Sequence, residues 1–352
     1  MVRGAHRSPQ GRPARLRDVA ALAGVSVKTV SNVVNGYTHV SADTRAKVAA
    51  ALAELEYRPN AAARNLRSGR SGIIALAVPE LDFPYFAELA RHVVQAARER
   101  DWTVLVDQTD GEAGREREVM NGLGTHVIDG LILSPLASGR EALSARRDPT
   151  PMVLLGERVY DGPDDHVAID NVAAARAAVT HLVELGRTRI ATIGEQPDSP
   201  SGTARLRAQG YAAALQAAGL RPPRGGRIPT VGYHRADGAA AMARLLEQAR
   251  PPDAVFCFND LLALGALRVL HERGVRVPED IAVVGFDDIE DGRYCSPSLT
   301  TVRPDKPELA RLAVQLLAAR ITERGSGEAP APPRELRVDF ELVVRESTRR
   351  QP

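Results

Sequence analysis

Cysteine, aromatic residues and long apolar segments are all scarce in this sequence. Its 352 residues include two cysteines, Cys257 and Cys295, which are too few for the disulfide framework of a small secreted protein. No apolar run approaches the roughly 18 residues that a membrane-spanning helix requires. Met1–Arg15 is polar and rich in Arg, Gly and Pro, unlike a secretion signal. We therefore expect a reduced, cytoplasmic protein without a membrane segment.

Motifs of the common enzyme cofactors are missing as well. There is no Gly-Lys-Thr/Ser phosphate-binding loop, and Gly122-Leu123-Gly124 lacks the third glycine of a dinucleotide-binding loop. The eight histidines include no His-Glu-x-x-His pair, and the two cysteines are far apart in sequence. We predict a protein that is not an enzyme and that has no catalytic residues, no metal and no cofactor.

The charged residues are distributed unevenly along the chain. Residues 1–70 contain 12 Lys and Arg against 4 Asp and Glu, whereas the remainder contains 34 against 40, so the two parts carry +8 and −6. A basic segment joined to an acidic body is typical of a protein that binds a polyanion, although basic tails also serve simply to solubilise. The charge therefore favours nucleic acid as a partner.

The first 71 residues divide into a leader, a small helical domain and a linker. Residues 1–13 lack periodicity and are interpreted as a disordered basic leader. Apolar residues then recur at helical spacing, which predicts a headpiece over residues 14–58 with helices at Leu16–Ala23, Ser26–Asn35 and Ser41–Leu55. Ser26 and Ser41 are expected to cap their helices. Residues 59–71 have the composition of a hinge.

From residue 72 onward, apolar strand-like runs alternate with helical segments. We predict strands at Ile73–Val78, Trp102–Val106, Gly130–Leu133, Met152–Leu155, Ile190–Ile193, Ala254–Phe258 and Ile281–Gly285. Helices are predicted at Tyr85–Arg98 and at about 115–124, 171–185, 203–218, 237–249, 260–273 and 305–322. This alternation is typical of doubly wound parallel sheets, and the number of units favours two lobes.

The second headpiece helix has side chains suited to reading DNA. If Val19 and Val30 pack into a small core, Val27, Lys28 and Asn32 project outward from the part of the helix that enters the major groove in a helix-turn-helix. Asn pairs with adenine, Lys donates to guanine, and Val contacts the thymine methyl group, so these three are the predicted base readers. Predicted DNA-backbone contacts are Ser26, Thr29, Ser31, Asn35, His39, Ser41 and Thr44. The alternative for each of these polar residues is a solvent-exposed side chain or a helix cap.

The headpiece closely resembles that of the lactose/galactose repressor (LacI/GalR) family. The similarity covers Leu16-x-Asp18-Val19-Ala20-x-x-Ala23-Gly24-Val25-Ser26-x-x-Thr29-Val30-Ser31-x-Val33-Val34-Asn35, Val40-Ser41-x-x-Thr44-Arg45-x-x-Val48 and Leu55-x-Tyr57-x-Pro59-Asn60-x-x-Ala63-x-x-Leu66. It implies a hinge that becomes helical on operator DNA and contacts the minor groove through Asn60, Ala63, Leu66 and Arg67, with Leu66 as the wedge. The alternative is an exposed linker in which Leu66 packs on the next domain.

The resemblance also implies a multidomain fold, in which an all-α helix-turn-helix headpiece precedes an α/β core similar to periplasmic binding proteins. That core would have two lobes, each with a doubly wound parallel sheet: an N-subdomain of residues 72–169 and 301–331 and a C-subdomain of residues 170–300 and 332–348. A small molecule would bind in the cleft between them.

The implied effector residues are Tyr85, Phe86, Thr203, Arg207, Tyr233, Asn259 and Asp287. Core packing is an equal alternative for Tyr85. For Asp260 and Asp288, the carboxylates that follow Asn259 and Asp287, the alternatives are capping a helix and holding a turn. Several relatives have an acidic ligand after the Met152–Leu155 strand, where this chain has Gly156-Glu157-Arg158.

Together these features predict a sequence-specific transcriptional regulator, most naturally a repressor. It would bind a pseudo-palindromic operator in double-stranded DNA as a homodimer, associated with the nucleoid in the cytoplasm. A sugar or sugar derivative is the expected effector, with a nucleoside or base as the second choice. A solute receptor would need a secretion signal and no basic headpiece. An architectural DNA binder would show no response to a small ligand.

Asn32 provides the first test of this interpretation. Because a base contact discriminates between sequences and a phosphate contact does not, Asn32→Ala should weaken binding to the preferred sequence more than binding to random DNA. The affinity ratio between the two DNAs should fall by about tenfold or more, corresponding to the 1–3 kcal/mol of one bidentate base contact. Fluorescence anisotropy with both duplexes measures it. An equal loss for every sequence would contradict the base-reading role.

Overall fold

A computed structural model describes residues 14–34, 37, 39–55, 57, 70–122, 128–157, 160–196, 202–326 and 331–349. The chain forms two compact units, residues 1–71 and 72–352. The predicted leader 1–13, the DNA-backbone residue Asn35, and the hinge residues Asn60, Ala63, Leu66 and Arg67 lie outside the described residues.

The described part of the headpiece contains three helices around a small apolar core. They are α1 (Leu16–Ala23), α2 (Val27–Val34) and α3 (Ala42–Glu54). Gly24 ends α1 in the left-handed conformation, with φ 66°, and its N–H donates to the carbonyls of Ala20 and Ala21. The predicted packing is confirmed, since the core consists of Val19, Ala20, Val30, Val48 and Ala51, with Ala23, Val25 and Val33 packed against it.

Both predicted helix caps are present. The Ser26 hydroxyl oxygen accepts from the Thr29 N–H at 3.0 Å, and the Ser41 hydroxyl oxygen accepts from the Thr44 N–H at 3.3 Å. Each bond satisfies an amide that has no partner within its own helix. The caps therefore set the start of α2 and α3.

The first lobe of the core is built on a six-stranded parallel sheet. Its strands, in the spatial order β11-β5-β4-β3-β1-β2, are β1 (Ile73–Val78), β2 (Thr103–Gln108), β3 (Gly130–Leu133), β4 (Met152–Leu155), β5 (Asp165–Ile169) and β11 (Glu335–Val338). Its helices are α4 (Pro84–Arg98), α5 (Ala113–Met120), α6 (Arg140–Ser144) and α12 (Lys306–Ser326). β1, β3 and β4 are almost wholly buried, as their continuous apolar runs predict for strands covered on both faces. β5 is buried as well, although it begins with Asp165 and His166 and is not among the predicted strands.

The second lobe has a matching six-stranded sheet with one antiparallel edge. Its strands, in the spatial order β12-β10-β9-β8-β6-β7, are β6 (Ile190–Glu195), β7 (Arg227–Pro229), β8 (Ala254–Cys257), β9 (Ala282–Phe286), β10 (Thr300–Pro304) and β12 (Phe340–Val343). β12 runs antiparallel to β10. Its helices are α7 (Asn171–Glu184), α8 (Gly202–Ala217), α9 (Arg235–Leu246), α10 (Asp260–Glu272) and α11 (Asp291–Tyr294).

Two of the expected subdomain boundaries need correction. Residues 301–304 were assigned to the first lobe, but β10 pairs with β9 in the second sheet. Residues 335–338 were assigned to the second lobe, but β11 pairs with β5 in the first sheet. The chain therefore changes lobes after β5, after β10 and after β11. These short strands lack a continuous apolar run, and their place is decided by the hydrogen-bonding partner that each one finds.

Glycines allow helices of the second lobe to cross at close range. A Cβ atom on Gly265 in α10 would lie 1.9 Å from the Arg235 carbonyl oxygen at the start of α9, and one on Gly238 would lie 2.1 Å from the Leu262 carbonyl oxygen. The two helices that begin beside Tyr233 and Asn259 are thus held backbone to backbone.

Gly265→Ala should therefore destabilise the core. Because the clash is with backbone and cannot be relieved by a rotamer change, we expect a loss of about 2 kcal/mol or more in the free energy of unfolding, measured by urea denaturation. Gly114→Ala is the matched control, since Gly114 lies in α5 with no atom within 4 Å of the added methyl group. It should change stability by less than about 1 kcal/mol. Equal effects of the two substitutions would contradict the close crossing.

Candidate functional site

One exposed face of α2 holds the three predicted base readers. Val27 is 47% exposed, Lys28 is exposed and Asn32 is half-buried. At 100° per residue these positions fall within about 140° of one another, and Val30 lies about 160° from Lys28 and Asn32 and about 60° from Val27. Val30 is completely buried against α1 and α3. The small core of the headpiece therefore fixes which face of α2 is free to meet a partner.

The predicted DNA-backbone residues surround this face unevenly. Ser26, His39 and Ser41 are exposed, whereas Thr29, Ser31 and Thr44 are half-buried. The hydroxyl groups of Ser26 and Thr29 lie 2.8 Å apart, and the Ser41 hydroxyl donates to the Thr44 hydroxyl at 2.8 Å. These four side chains therefore form hydrogen bonds with one another at the starts of α2 and α3. Their roles toward DNA remain predictions.

A cavity of about 340 Å³ lies between the two lobes of the core. It is formed by the segments that follow the carboxyl ends of strands in both sheets, which is where open parallel sheets bind ligands. The structure brings all seven predicted effector residues to this cavity: Tyr85, Phe86, Thr203, Arg207, Tyr233, Asn259 and Asp287.

Arg207 is the most constrained side chain of the cavity. It is 6% exposed, and its Nε donates to Asn171 Oδ1 at 2.8 Å. One Nη donates to the Phe258 carbonyl, and the other lies 3.7 Å from Asp287 Oδ1. The guanidinium carbon is 3.5 Å from the centroid of the Phe286 ring. Arg207 therefore ties together the segments next to α7, β8 and β9.

Asp287 follows β9 with φ 113°, an unusual conformation for a residue other than glycine. Its N–H donates to the Val302 carbonyl at 2.8 Å, and its own carbonyl accepts from Lys306 Nζ at 2.8 Å. Burial raises the pKa of its carboxyl group to about 7, while Arg207 and Lys306 act in the opposite direction. The backbone is held from both sides, so the carboxyl group stays in the cavity.

Asn259 has a structural task in addition to its place in the cavity. Its Oδ1 accepts from the Leu262 N–H at 2.9 Å and caps α10, and its Nδ2 donates to the Tyr233 carbonyl at 3.0 Å. The cap is thus Asn259 and not Asp260, whose buried carboxylate accepts from Ile289 N–H and the Thr301 hydroxyl. One Asn259 N–H is left for a ligand. The Tyr233 hydroxyl oxygen is buried with no hydrogen-bond partner among the described residues.

Aromatic rings form the first-lobe side of the cavity. Tyr85 and Phe86 meet edge to face, with ring centroids 5.2 Å apart, and Phe83 lies 5.8 Å from Phe86. Tyr85 also packs against the main core, which confirms the core-packing interpretation, while its role toward an effector stays a prediction. Burial raises the pKa of the Tyr85 hydroxyl.

Three carboxylates of the cavity are not among the predicted effector residues. Glu80, Asp110 and Glu157 line the cavity, and each lies two residues after a strand: β1, β2 and β4 respectively. Glu157 Oε2 accepts from the Thr203 hydroxyl at 2.9 Å, which joins the two lobes. The signal that could have identified them is their shared position just beyond the carboxyl end of a strand.

A buried carboxylate shapes the loop on the same side. Glu116 in α5 is fully buried and accepts the N–H groups of Leu136, Ala137 and Ser138 at 2.7, 3.1 and 2.6 Å. Leu136 and Ala137 line the cavity. Nothing in the local sequence marks this contact, because it joins residues 20 to 22 positions apart in the chain.

The chain matches two protein-family models. Residues 15–60 match the bacterial regulatory proteins of the lacI family, and residues 179–348 match a periplasmic binding protein-like domain. The first match covers the headpiece helices and the second covers most of the second lobe. No helix within the described segments combines the length and apolar character needed to cross a membrane.

Characterised relatives are similar over nearly the whole chain. The ribose operon repressor of Escherichia coli K12 is 37% identical over 314 residues, covering 88% of this chain and 94% of that protein. The regulator CelR of Thermobifida fusca is 39% identical over 351 residues, covering 94% and 97%.

Solved structures show the same architecture. The complex of the regulator CelR with cellobiose has a TM-score of 0.69 at 34% identity, covering 95% of this chain and 99% of that one. The lac repressor dimer bound to operator and the anti-inducer ONPF has a TM-score of 0.82 at 31% identity, covering 96% and 99%.

The raised pKa of Asp287 predicts a pH dependence of stability. Between pH 4 and 7 the native carboxyl group keeps its proton while the unfolded one loses it, so this residue lowers the free energy of unfolding as pH rises. Asp287→Asn removes the effect. The stability of the variant relative to the parent should therefore increase from pH 4 to pH 8, by at most about 4 kcal/mol.

Urea denaturation at a series of pH values measures this difference. Asp280→Asn is the control, because Arg276 lowers the pKa of Asp280 to about 2 and its titration lies below the range tested. The stability of that variant relative to the parent should stay nearly constant between pH 5 and 8, and it should not increase as pH rises from 4. A flat profile for Asp287→Asn as well would show that Asp287 is already ionised at pH 4.

Proposed function

Because the chain belongs to the lacI family of bacterial regulatory proteins, we propose that it is a transcriptional repressor whose affinity for its operator is controlled by a sugar. The observation that carries the proposal is that the exposed face of α2 and a ligand-sized cavity between two lobes occur in one chain. Relatives similar over nearly its full length are named as repressors or regulators. We propose no enzymatic activity and a cytoplasmic, nucleoid-associated location.

Operator recognition is assigned to the headpiece. Val27, Lys28 and Asn32 would read base edges in the major groove, and the surrounding small polar residues would contact phosphates. A homodimer would place two headpieces on a pseudo-palindromic site, since the symmetry of the protein is mirrored in the DNA. The lac repressor structure is a dimer on operator DNA. Asn60, Ala63, Leu66 and Arg67 would contact the minor groove.

The cavity is assigned to the effector. Aromatic faces at Tyr85 and Phe86, with polar groups at Thr203, Arg207 and Asp287, suit a molecule that has apolar ring faces and many hydroxyl groups. The ribose operon repressor and the CelR complex with cellobiose support a sugar. A nucleoside or base, stacked on the same rings, is the second candidate.

Contacts between the lobes provide the means of control. Glu157 bonds to Thr203, and the His234 ring lies 3.1 Å from Glu80 across the cleft. Lys306 Nζ pairs with Glu88 of α4 while it holds the Asp287 carbonyl. An effector that contacts both lobes would shift the balance between open and closed arrangements to the extent of its different affinities for the two.

DNA selection with the purified protein tests operator recognition directly. We expect an inverted-repeat sequence to be enriched, and its affinity to fall by about a thousandfold or more between 50 and 200 mM salt if six or more phosphates are contacted. Anisotropy titrations across salt concentrations measure the slope. Enrichment of no sequence would contradict a specific regulator, and a single half-site would contradict dimeric binding.

Arg207 tests the link between cavity and operator. Lys keeps the charge but cannot reproduce the fork of contacts with Asn171, the Phe258 carbonyl and Asp287. For Arg207→Lys, the sugar concentration that half-maximally changes operator affinity should rise by tenfold or more. Arg176→Lys on α7 is the control for loss of a guanidinium elsewhere in the same lobe. An unchanged sugar response of Arg207→Lys would remove Arg207 from the effector site.

A further inference from the structure

The charges around the cavity are strongly unequal. Among the described residues that line it, four carry carboxyl groups and one carries a basic group: Glu80, Asp110, Glu157 and Asp287 against Arg207. Asp287 is almost completely buried, and Glu157 reaches across to Thr203 on the other lobe. Even when Asp287 is protonated, below a pKa of about 7, the carboxylates of Glu80, Asp110 and Glu157 outnumber the one guanidinium. A ligand in this space is therefore surrounded mainly by negative charge and by hydrogen-bond acceptors.

The single guanidinium has little capacity left for an anion. Three of its five N–H groups face Asn171, the Phe258 carbonyl and Asp287, and its flat face lies on Phe286. A phosphate or carboxylate placed against the remaining N–H groups would also lie beside the Asp287 carboxyl group. Anion sites in proteins commonly present an unpaired Arg guanidinium or Lys ammonium group.

Helix ends do not reverse this balance. α4, α8 and α10 begin at the cavity, and each N-terminus contributes roughly half a positive charge. The α10 end is already capped by Asn259, and α4 has proline at its first position, which has no N–H to donate. The lining still carries an excess of negative charge when these contributions are added.

The polar groups of the cavity that have no partner in the part of the chain that the structure describes are suited to binding the hydroxyl groups of a ligand. Tyr233 holds a buried hydroxyl without a partner, and one N–H of Asn259 is unused, so two donors await an acceptor. Carboxylates such as Glu157 accept from hydroxyl hydrogens. A sugar hydroxyl donates and accepts at once, and it can therefore satisfy both sets, whereas a phosphate group can only accept from the donors.

We propose that the cavity selects sugars without a negative charge and rejects sugar phosphates and sugar acids. The proposal rests on the proposed sugar-sensing function and narrows its ligand class. The unphosphorylated sugar is the regulatory signal, and its phosphorylated product is not sensed. Discrimination comes mainly from the first-lobe carboxylates Glu80, Asp110 and Glu157, because all three line the same cavity.

Matched sugars that differ mainly in charge test this selection. The probes are D-ribose with D-ribose 5-phosphate, D-glucose with D-glucose 6-phosphate, D-glucuronate and D-glucosamine, and cellobiose with its ring-closed uronic acid derivative. Binding to the full-length protein is measured by thermal shift and then by calorimetry, at constant ionic strength. For the sugar that binds, we expect the anionic partner to be about a hundredfold weaker or worse. Inorganic phosphate should give no stabilisation beyond that of chloride.

Glu157→Gln keeps the size and the acceptor for Thr203 while it removes one charge. The neutral-to-anionic affinity ratio should fall about tenfold in this variant. Glu99→Gln, an exposed carboxylate away from the cavity, should leave the ratio unchanged. An anionic sugar that binds as well as its neutral partner would overturn the proposal, as would an unchanged ratio in Glu157→Gln. If no sugar binds in any charge form, while the DNA selection still yields an operator, the proposed sugar sensing itself fails.

Discussion

The buried guanidinium of Arg207 is the contact on which the sensor cavity depends. It joins the start of α7 through Asn171, the end of β8 through the Phe258 carbonyl, and the end of β9 through Asp287. Burying a cation is costly unless its donors are satisfied, and here they meet an amide oxygen, a carbonyl and a carboxyl group. The same contacts that make its burial tolerable also hold three segments of the second lobe in one arrangement around the ligand space.

Lys306 extends this arrangement to the other lobe. It lies at the second lobe crossing, where β10 gives way to α12, and its ammonium group meets the carbonyls of Asp287 and Asp288 and the carboxylate of Glu88. Glu88 also accepts from the Glu290 N–H at 3.3 Å. A ligand that contacts Asp287 therefore lies close to Lys306, whose ammonium group interacts with both lobes. This proximity gives a physical basis for coupling ligand binding to lobe closure.

In the headpiece, the residues that stabilise the fold and those that form the recognition face lie in the same short segments. Its core is small, with Val19, Val30 and Val48 completely buried, and the burial of Val30 leaves Lys28 on the exposed part of α2. Ser26 and Ser41 use their hydroxyl groups to start α2 and α3. Stability and presentation of the recognition face are thus provided by the same short segments, which is why the pattern is so clear in the sequence.

Much of this molecule was determined by the sequence alone. The strands β1, β3 and β4 follow from uninterrupted apolar runs, the helices of the headpiece from their periodicity and caps, and Arg207 and Asp287 from a family resemblance in their surroundings. Those features depend on neighbours in the chain. What required the tertiary structure were the short strands β10 and β11, whose lobe depends on which distant strand they pair with. The same holds for Glu80, Asp110 and Glu157, which come together only because parallel strands end at one edge. The charge around the cavity depends on residues from distant parts of the chain that come together in space. No local sequence pattern therefore predicts it.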